Sequence, residues 1–467
     1  MHDAGRQALE RARHHAAQAR DEAAKQACLE MLRLDPTSFA ALSELGALAA
    51  ATGHRSAART AYAQAVRHHP GKPIAHVGLA DLLLEDGDID TARVHYQAAL
   101  DVDPDFPEAH QGLARILTNL GDPAADTHWQ KGFAGHAIVM PRYRGSGAGV
   151  PLLLLVSARG GNMPTRQWID DTVFAVTAVY ADFHDPARPL PPHALVVNAI
   201  GDADLCGLAL ERAEVLLAGR TAPVINPPAC IRATGRAANA GRLGSVPGVV
   251  TPVVTSMSRS ATRTANGLCF PLLLRAPGFH TGQHFVPVAT RDELAQAADA
   301  MPGDTLLAIE YLDARGHDRL ARKYRVMLID GVCYPLHLAI SADWKVHYFT
   351  AAMANNAAHR REEQRFLDDM AGVLGERVMA ALAEVAVQLG LDYAGVDFAL
   401  APNGSLLLFE ANATMVILPP DPDPMWDYRR PAIAAARQAA GRMLMQRVRQ
   451  DATTRRADGH DTFPAAR

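Results

Sequence analysis

Apolar positions return every three or four residues through most of the first 139 positions, the spacing of helices that bury one face. The pattern itself recurs. Pro36, Pro70 and Pro104 stand 34 residues apart, each in "DP" or "HP" after a helical stretch. Aligned on these prolines, Gly53 matches Gly87, Ala58 matches Ala92, Tyr62 matches Tyr96 and Ala65 matches Ala99. Small residues at fixed offsets let paired helices approach closely, and the proline ends the second helix of each pair. The copy ending at Pro36 is degenerate. The copy starting near His110 keeps Leu113, Ala114 and Gly121 and then drifts, as capping repeats do.

Residues 140–149, "MPRYRGSGAG", break the helical period and read as a linker. The pattern then changes. "PLLLLVSA" reads as a strand, "TRQWIDDTVFAVTAVYA" as a helix, "HALVVNAIG" as a strand, "LCGLALERAEVLLA" as a helix and "APVINPP" as a short strand, with "IRATGRAANAGRLGSV" helical. Such alternation implies a parallel sheet covered by helices. A further region has strands at 271–275, 305–311, 324–329 and 332–339, a long helix at 362–389 and a hairpin at 395–412. Its alternation is less regular, which suits an α+β domain with antiparallel strands. A last helix, at about 431–449, precedes a polar tail at 451–467 with the composition of a disordered segment.

The formal net charge of -4 argues against a general nucleic-acid binder. Five scattered cysteines with no CxxC pair suit a reducing cytoplasm and argue against a structural zinc site. The first residues carry no signal-peptide core, and the apolar run "VPLLLLV" is too short to span a bilayer. Basic charge is carried almost wholly by arginine; the lysines are Lys25, Lys72, Lys131, Lys323 and Lys345.

The hairpin "GVDFALAPNGSLLLFEAN" holds the densest candidate chemistry. A two-residue Asn403-Gly404 turn pairs Pro402 with Ser405 and carries that register to Asp397 opposite Glu410. Two like charges so placed repel by roughly 3 kcal/mol at about 5 Å and an effective dielectric near 20, so something positive should offset them. Asp397, Glu410 and Asn412 share a face and supply hard oxygen ligands suited to Mg²⁺. Lys323 and Arg325, two apart on a strand, suit a polyphosphate facing that site; alone they equally suit an exposed basic edge. In "RAPGFHTGQHF", Gly278 and Gly282 could bring backbone N–H groups to a phosphate, although a glycine loop between strands is more often a turn. The strand ending in Glu310-Tyr311-Leu312 could present its backbone to a nucleobase edge. "YPLHLAISADWKVHY" places His337, Trp344, Lys345, His347 and Tyr348 where one face could line a pocket. No GxSxG, HExxH or GxxxxGK[ST] motif occurs.

The N-terminal repeats resemble the tetratricopeptide repeat. From about Val150 to Arg449, three features in order resemble the ATP-grasp superfamily of carboxylate–amine ligases: "APVINPPACIRATGRAANAGRL"; the series "LLLRAPGFHTGQHF", "IEYL", "KYRVMLIDG"; and the hairpin. The resemblance implies a multidomain chain. It comprises an all-α repeat array (1–139), an α/β pre-ATP-grasp domain (150–255), an α+β ATP-grasp domain (256–450) and a tail (451–467). It implies ATP and Mg²⁺ as cofactors, with Asp397, Glu410 and Asn412 on the metal. Arg275, Gly278, Gly282, Glu310, Tyr311, Leu312 and Lys323 would contact the nucleotide, and Arg325 with Lys323 would serve the transfer. Arg275 stands where the family usually has lysine, and Lys323 where many members carry an acid. A further phosphate lysine is common near the helix that here holds Arg236. The activity implied is a cytoplasmic ligase joining a carboxylate to an amine, with a protein or peptide recruited by the repeats; the repeats equally suit self-association. A nucleotide-binding scaffold without catalysis, or a phosphotransferase on the same fold, fits the same residues.

Overall fold

The computed structural model describes residues 7, 10, 11, 21–277, 283–346, 351 and 353–457. Its contacts divide the chain into two compact units: Met1–Gly149 with Asp171–Val176 and Phe183–Asp185, and Val150–Asp170 with Thr177–Asp182 and Pro186–Arg467.

The first unit is built of helices α1 (Asp21–Leu34), α2 (Phe39–Ala51), α3 (Arg55–His68), α4 (Pro73–Glu85), α5 (Ile89–Val102), α6 (Pro107–Leu120) and α7 (Ala124–Phe133), followed by a short strand β1 (Ile138–Val139). Consecutive helices pack on one another. The alignable residues are its core: Ala58, Tyr62, Ala65, Ala92, Tyr96 and Ala99 are all buried. Each tyrosine ring lies over glycine on the neighbouring helix. A Cβ added at Gly78 would meet the Tyr62 ring at 2.5 Å, and one at Gly112 would meet the Tyr96 ring at 2.2 Å. The Tyr96 hydroxyl donates to Asp81 at 2.6 Å. Gly53, Gly87 and Gly121 turn the chain with φ of 79°, 84° and 69°, so the sequence period marks a backbone need.

A second periodic device escaped the sequence pattern. Buried His76 and His110 stand 34 residues apart, six after Pro70 and Pro104. Each places Nε2 2.9 Å from that proline's carbonyl oxygen. Their Nδ1 atoms face those of His95 and His128 at 3.1 and 2.9 Å.

The second unit begins with strand β2 (Val150–Val156). The segment expected as helix after it contains instead strand β3 (Phe174–Tyr180). Its "FAVTAVY" is rich in β-branched and aromatic residues, and that preference outweighs a helical period over so short a run. β4 (Leu195–Asn198), α8 (Gly207–Leu217), β5 (Val224–Ile225), α9 (Pro228–Arg232) and α10 (Arg236–Leu243) follow, and β2, β4 and β5 pair in parallel. Asn226, at φ 53°, ends β5 and bonds both backbone groups of Tyr393, at 2.9 and 2.7 Å.

Next come β6 (Val249–Val250), β7 (Val254–Ser258), α11 (Arg259–Thr264), β8 (Leu272–Arg275), β9 (Phe285–Val288), α12 (Arg291–Ala300) and β10 (Thr305–Glu310). They are followed by β11 (Ala321–Ile329), β12 (Val332–Ser341), α13 (Ala357–Asp368), α14 (Met370–Leu389), β13 (Tyr393–Leu400), β14 (Leu406–Asn412) and α15 (Arg430–Ala457). One antiparallel sheet runs β7-β10-β8-β9; another runs β12-β11-β13-β14-β6, with only β6 parallel to its neighbour. The expected helix at 362–389 is broken at Asp369, whose side chain caps the next turn by accepting from Gly372 N at 2.8 Å, and again at Gly375, where φ is 76°. The final helix runs on to Ala457, into the stretch expected to be disordered; residues 458–467 lie outside the described ones. Among the described residues no helix is long and apolar enough to cross a membrane.

Candidate functional site

The site grows from one row of the five-stranded sheet. His337 on β12, Arg325 on β11, Asp397 on β13 and Glu410 on β14 stand directly opposite one another in sequence of strands. β-Bulges flank the row, at Leu336 on β12 and Phe409 on β14, where bulges re-aim side chains.

The bulge corrects the sequence-derived register. Asp397 does pair with Glu410, but nearer the turn Leu400 pairs with Leu406 and Phe398 with Leu408, one residue away from the expected count. The turn has three central residues. Gly404 N donates to Ala401 O at 2.9 Å, Ala401 N to Ser405 O at 2.8 Å, and only Gly404 takes a positive φ, 78°. Phe409 supplies the extra residue that restores the register at the site.

The expected repulsion is offset by three cations. Arg325 donates to both Asp397 oxygens, at 2.6 and 2.8 Å, and Lys323 Nζ lies 3.0 Å from Oδ2. Arg236, the first residue of α10, reaches Glu410 Oε1 at 3.2 Å and Asp204 at 3.1 Å. Burial alone would push the Asp397 carboxyl up; Arg325 and Lys323 reverse that and hold it well below the usual carboxylate range. Burial, reinforced by Arg325, holds His337 well below the ordinary imidazole value, so it is neutral at pH 7. Burial, then the charge of Arg236, lowers Arg275.

Apart from His337 and Asp204, these groups line a cavity of about 570 Å³. Asp397, Glu410, Asn412, Lys323, Arg325, Arg275, Glu310, Tyr311 and Leu312 all lie on it. Gly278 and Gly282, with His347 and Tyr348, lie outside the described residues. Trp344 and Lys345 also line it, the tryptophan edge-on to Phe285 at 5.5 Å. Arg236 joins the site from 174 residues away in the chain, and no local sequence signal ties it to Glu410.

The oxygen set does not fit a metal ion held by all three expected ligands. Both Asp397 oxygens are taken by cations. Asn412 Oδ1 accepts from Thr414 N and Oγ1, at 3.0 and 2.9 Å, while its Nδ2 donates to Glu410 Oε1 at 2.9 Å. Among the described residues no cluster of three His, Cys, Asp or Glu side chains suits a metal. The cavity fits an anion better. Arg236, Arg275, Lys323, Arg325 and Lys345 line it against Glu310, Asp397 and Glu410, five positive charges to three negative.

Comparison with known proteins assigns the first unit. The tetratricopeptide-repeat family matches residues 43–99 and 83–125, so the chain carries tetratricopeptide repeats there. Among solved structures, MamA from Desulfovibrio magneticus RS-1 is 21% identical, over 28% of this chain and 74% of that one, with a TM-score of 0.26. A tetratricopeptide repeat protein from Parabacteroides merdae is 19% identical, over 29% of this chain and 54% of that one, with a TM-score of 0.26. A mutant O-GlcNAc transferase from Thermobaculum terrenum is 18% identical, over 54% of this chain and 46% of that one, with a TM-score of 0.29. No curated protein matches the sequence.

Proposed function

We propose that the second unit is an ATP-grasp-like ligase that binds ATP in the 570 Å³ cavity and joins a carboxylate to an amine. The observation that carries this reading is the cation-rich cavity wall, five lining cations to three lining acids with Asp204 paired to Arg236, and Tyr311 and Leu312 at the end of an apolar strand on the same cavity. A triphosphate is the common ligand that combines several negative charges with a flat base for a strand edge to read. In the proposed reaction a carboxylate oxygen attacks the γ-phosphorus, the bond to the β–γ bridging oxygen breaks, and ADP leaves with that electron pair. An amine then attacks the acyl carbon, loses a proton and expels phosphate. Arg236 and Arg275 hold phosphate oxygens. Arg325 and Lys323, aimed by Asp397, stabilise the charge that develops on the transferred group. The repeats recruit a protein or peptide to the same chain, since stacked helix pairs offer concave binding surfaces.

A second reading, nucleotide binding without transfer, is favoured by one feature: the ion-paired Asp397, which leaves the expected metal set incomplete. Calorimetric titration with ATP tests the shared part, and Arg275→Ala should weaken binding about tenfold. No ATP binding at millimolar concentration would end both readings. ADP release that requires an acid and an amine together selects the ligase; binding without release under every such pair selects the second reading.

A further inference from the structure

The charged partition of the site has another side. A second cavity, of about 350 Å³, opens against Lys323 and Arg325, and the two linings share only these residues and Val416 among the described ones. On the second side the walls are mostly apolar, with Leu336, Met353, Leu418, Pro419 and Trp426. Lys323 and Arg325 bring two positive charges and Asp397 one negative, so the partition carries +1. Arg429 also lines this cavity, but its guanidinium is 3.2 Å from the fully buried carboxylate of Glu363, which offsets it. Asp421 lies at the exposed edge.

We propose that this second cavity binds a monocarboxylate with an apolar body, its head on Lys323 and Arg325 and its body against Trp426 and Leu418. The inference rests on the ATP-binding reading and names the class of acid that the proposed reaction activates. One negative charge matches the partition. A dianion would leave a charge uncompensated among apolar walls, and an ammonium group would face like charge. An acid so held presents its oxygens to the same two side chains that face the first cavity. A free organic acid and the C-terminus of an apolar peptide share this chemistry.

The test uses the full chain, with ATP binding followed separately by a fluorescent ATP analogue. Calorimetry measures 3-phenylpropionate, hexanoate and the peptide acetyl-Ala-Phe, against hexylamine, hexanol and the amidated peptide. The acids should bind at least about tenfold more tightly than the amine, alcohol and amide. Trp426→Ala, and Leu418→Glu at a position 40% exposed, should each weaken the acids about tenfold and leave the ATP analogue within about twofold. Preference for the peptide or for the free acids supports the proposal in either case and distinguishes the two sources. Binding of the amine or alcohol as tightly as the acids, or acid binding indifferent to both variants, would overturn it. So would intact ATP binding with no acid bound. Acids that bind and respond to the variants while ATP does not would keep this site and remove the nucleotide reading.

Discussion

Asp397 is 3% exposed and sits where an unpaired carboxylate could not stay charged. The sequence pairs Asp397 with Glu410 from a two-residue turn; the structure reaches the same pair through a three-residue turn and the bulge at Phe409, so only the need for positive charge was legible. The source of that charge was not. Arg325 is 72 residues from Asp397 and Arg236 is 174 from Glu410, and no local pattern reports such contacts. The structure supplies side-chain cations where the sequence suggested Mg²⁺. Replacing Asp397 by Asn should therefore cost about 3 kcal/mol in unfolding free energy, the low end for breaking a buried pair. The low end applies because the Lys323 and Arg325 side chains stay 15% and 19% exposed. The folded carboxyl is depressed, so its stabilisation is present above the unfolded value of about 3.9 and is lost as pH falls below it. Denaturant melts at pH 7 and pH 3 check this: the wild-type advantage over Asp397→Asn should shrink at pH 3. In the folded variant, ATP should bind no more weakly than in the wild type, because a counter-ion has been removed. Weakening seen with Mg²⁺ and absent under EDTA would return Asp397 to the role of metal ligand; weakening under both conditions would mean that its part is to aim Arg325 and Lys323.

At the scale of elements, the repeats were the most legible part, because one physical need recurs every 34 residues. The Tyr96 ring occupies the space that a side chain at Gly112 would need. Tyr96 is fully buried and its hydroxyl is held by Asp81, so the ring cannot swing away. Gly112→Ala should thus lower stability by about 1–3 kcal/mol despite the better helix propensity of alanine, and thermal melts read this directly. The histidine pairs give the array a pH dependence. Burial, and then the neighbouring imidazole, lowers His95 and His128 below 6.5; Lys131 adds to the effect at His128 and Asp122 opposes it. The folded state then takes up fewer protons than the unfolded one as pH falls below 6.5, so stability is full above that value and declines beneath it. The double variant His95→Gln, His128→Gln should show a shallower fall of Tm between about pH 7 and pH 5 than the wild type. Where elements were misread, at β3 and at the turn before β14, the local choice was close. "FAVTAVY" satisfies a strand as well as a helical turn, and Asn403-Gly404 serves a three-residue turn through the Asn403 side chain, which accepts from Ser405 N at 3.0 Å.

Across the whole molecule the formal charge is -4, yet the main cavity carries two cations more than acids. Attraction of an anion is therefore a local property of that wall and works against the field of the rest of the chain. Two consequences separate cation-held from metal-held phosphate. A ligand held by five side-chain charges should bind more weakly as salt screens them: raising NaCl from about 0.05 M to about 0.5 M shortens the Debye length from roughly 14 Å to roughly 4 Å. An affinity loss of about tenfold is expected over that range. Removing Mg²⁺ with EDTA, at constant ionic strength, should change ATP affinity by less than about threefold, since both Asp397 oxygens are held by Arg325 and Lys323. Titrations of ATP under these conditions decide the matter. Affinity that is indifferent to salt and abolished by EDTA would mean that Asp397 leaves Arg325 and Lys323 when nucleotide binds, and that the hairpin holds a metal after all.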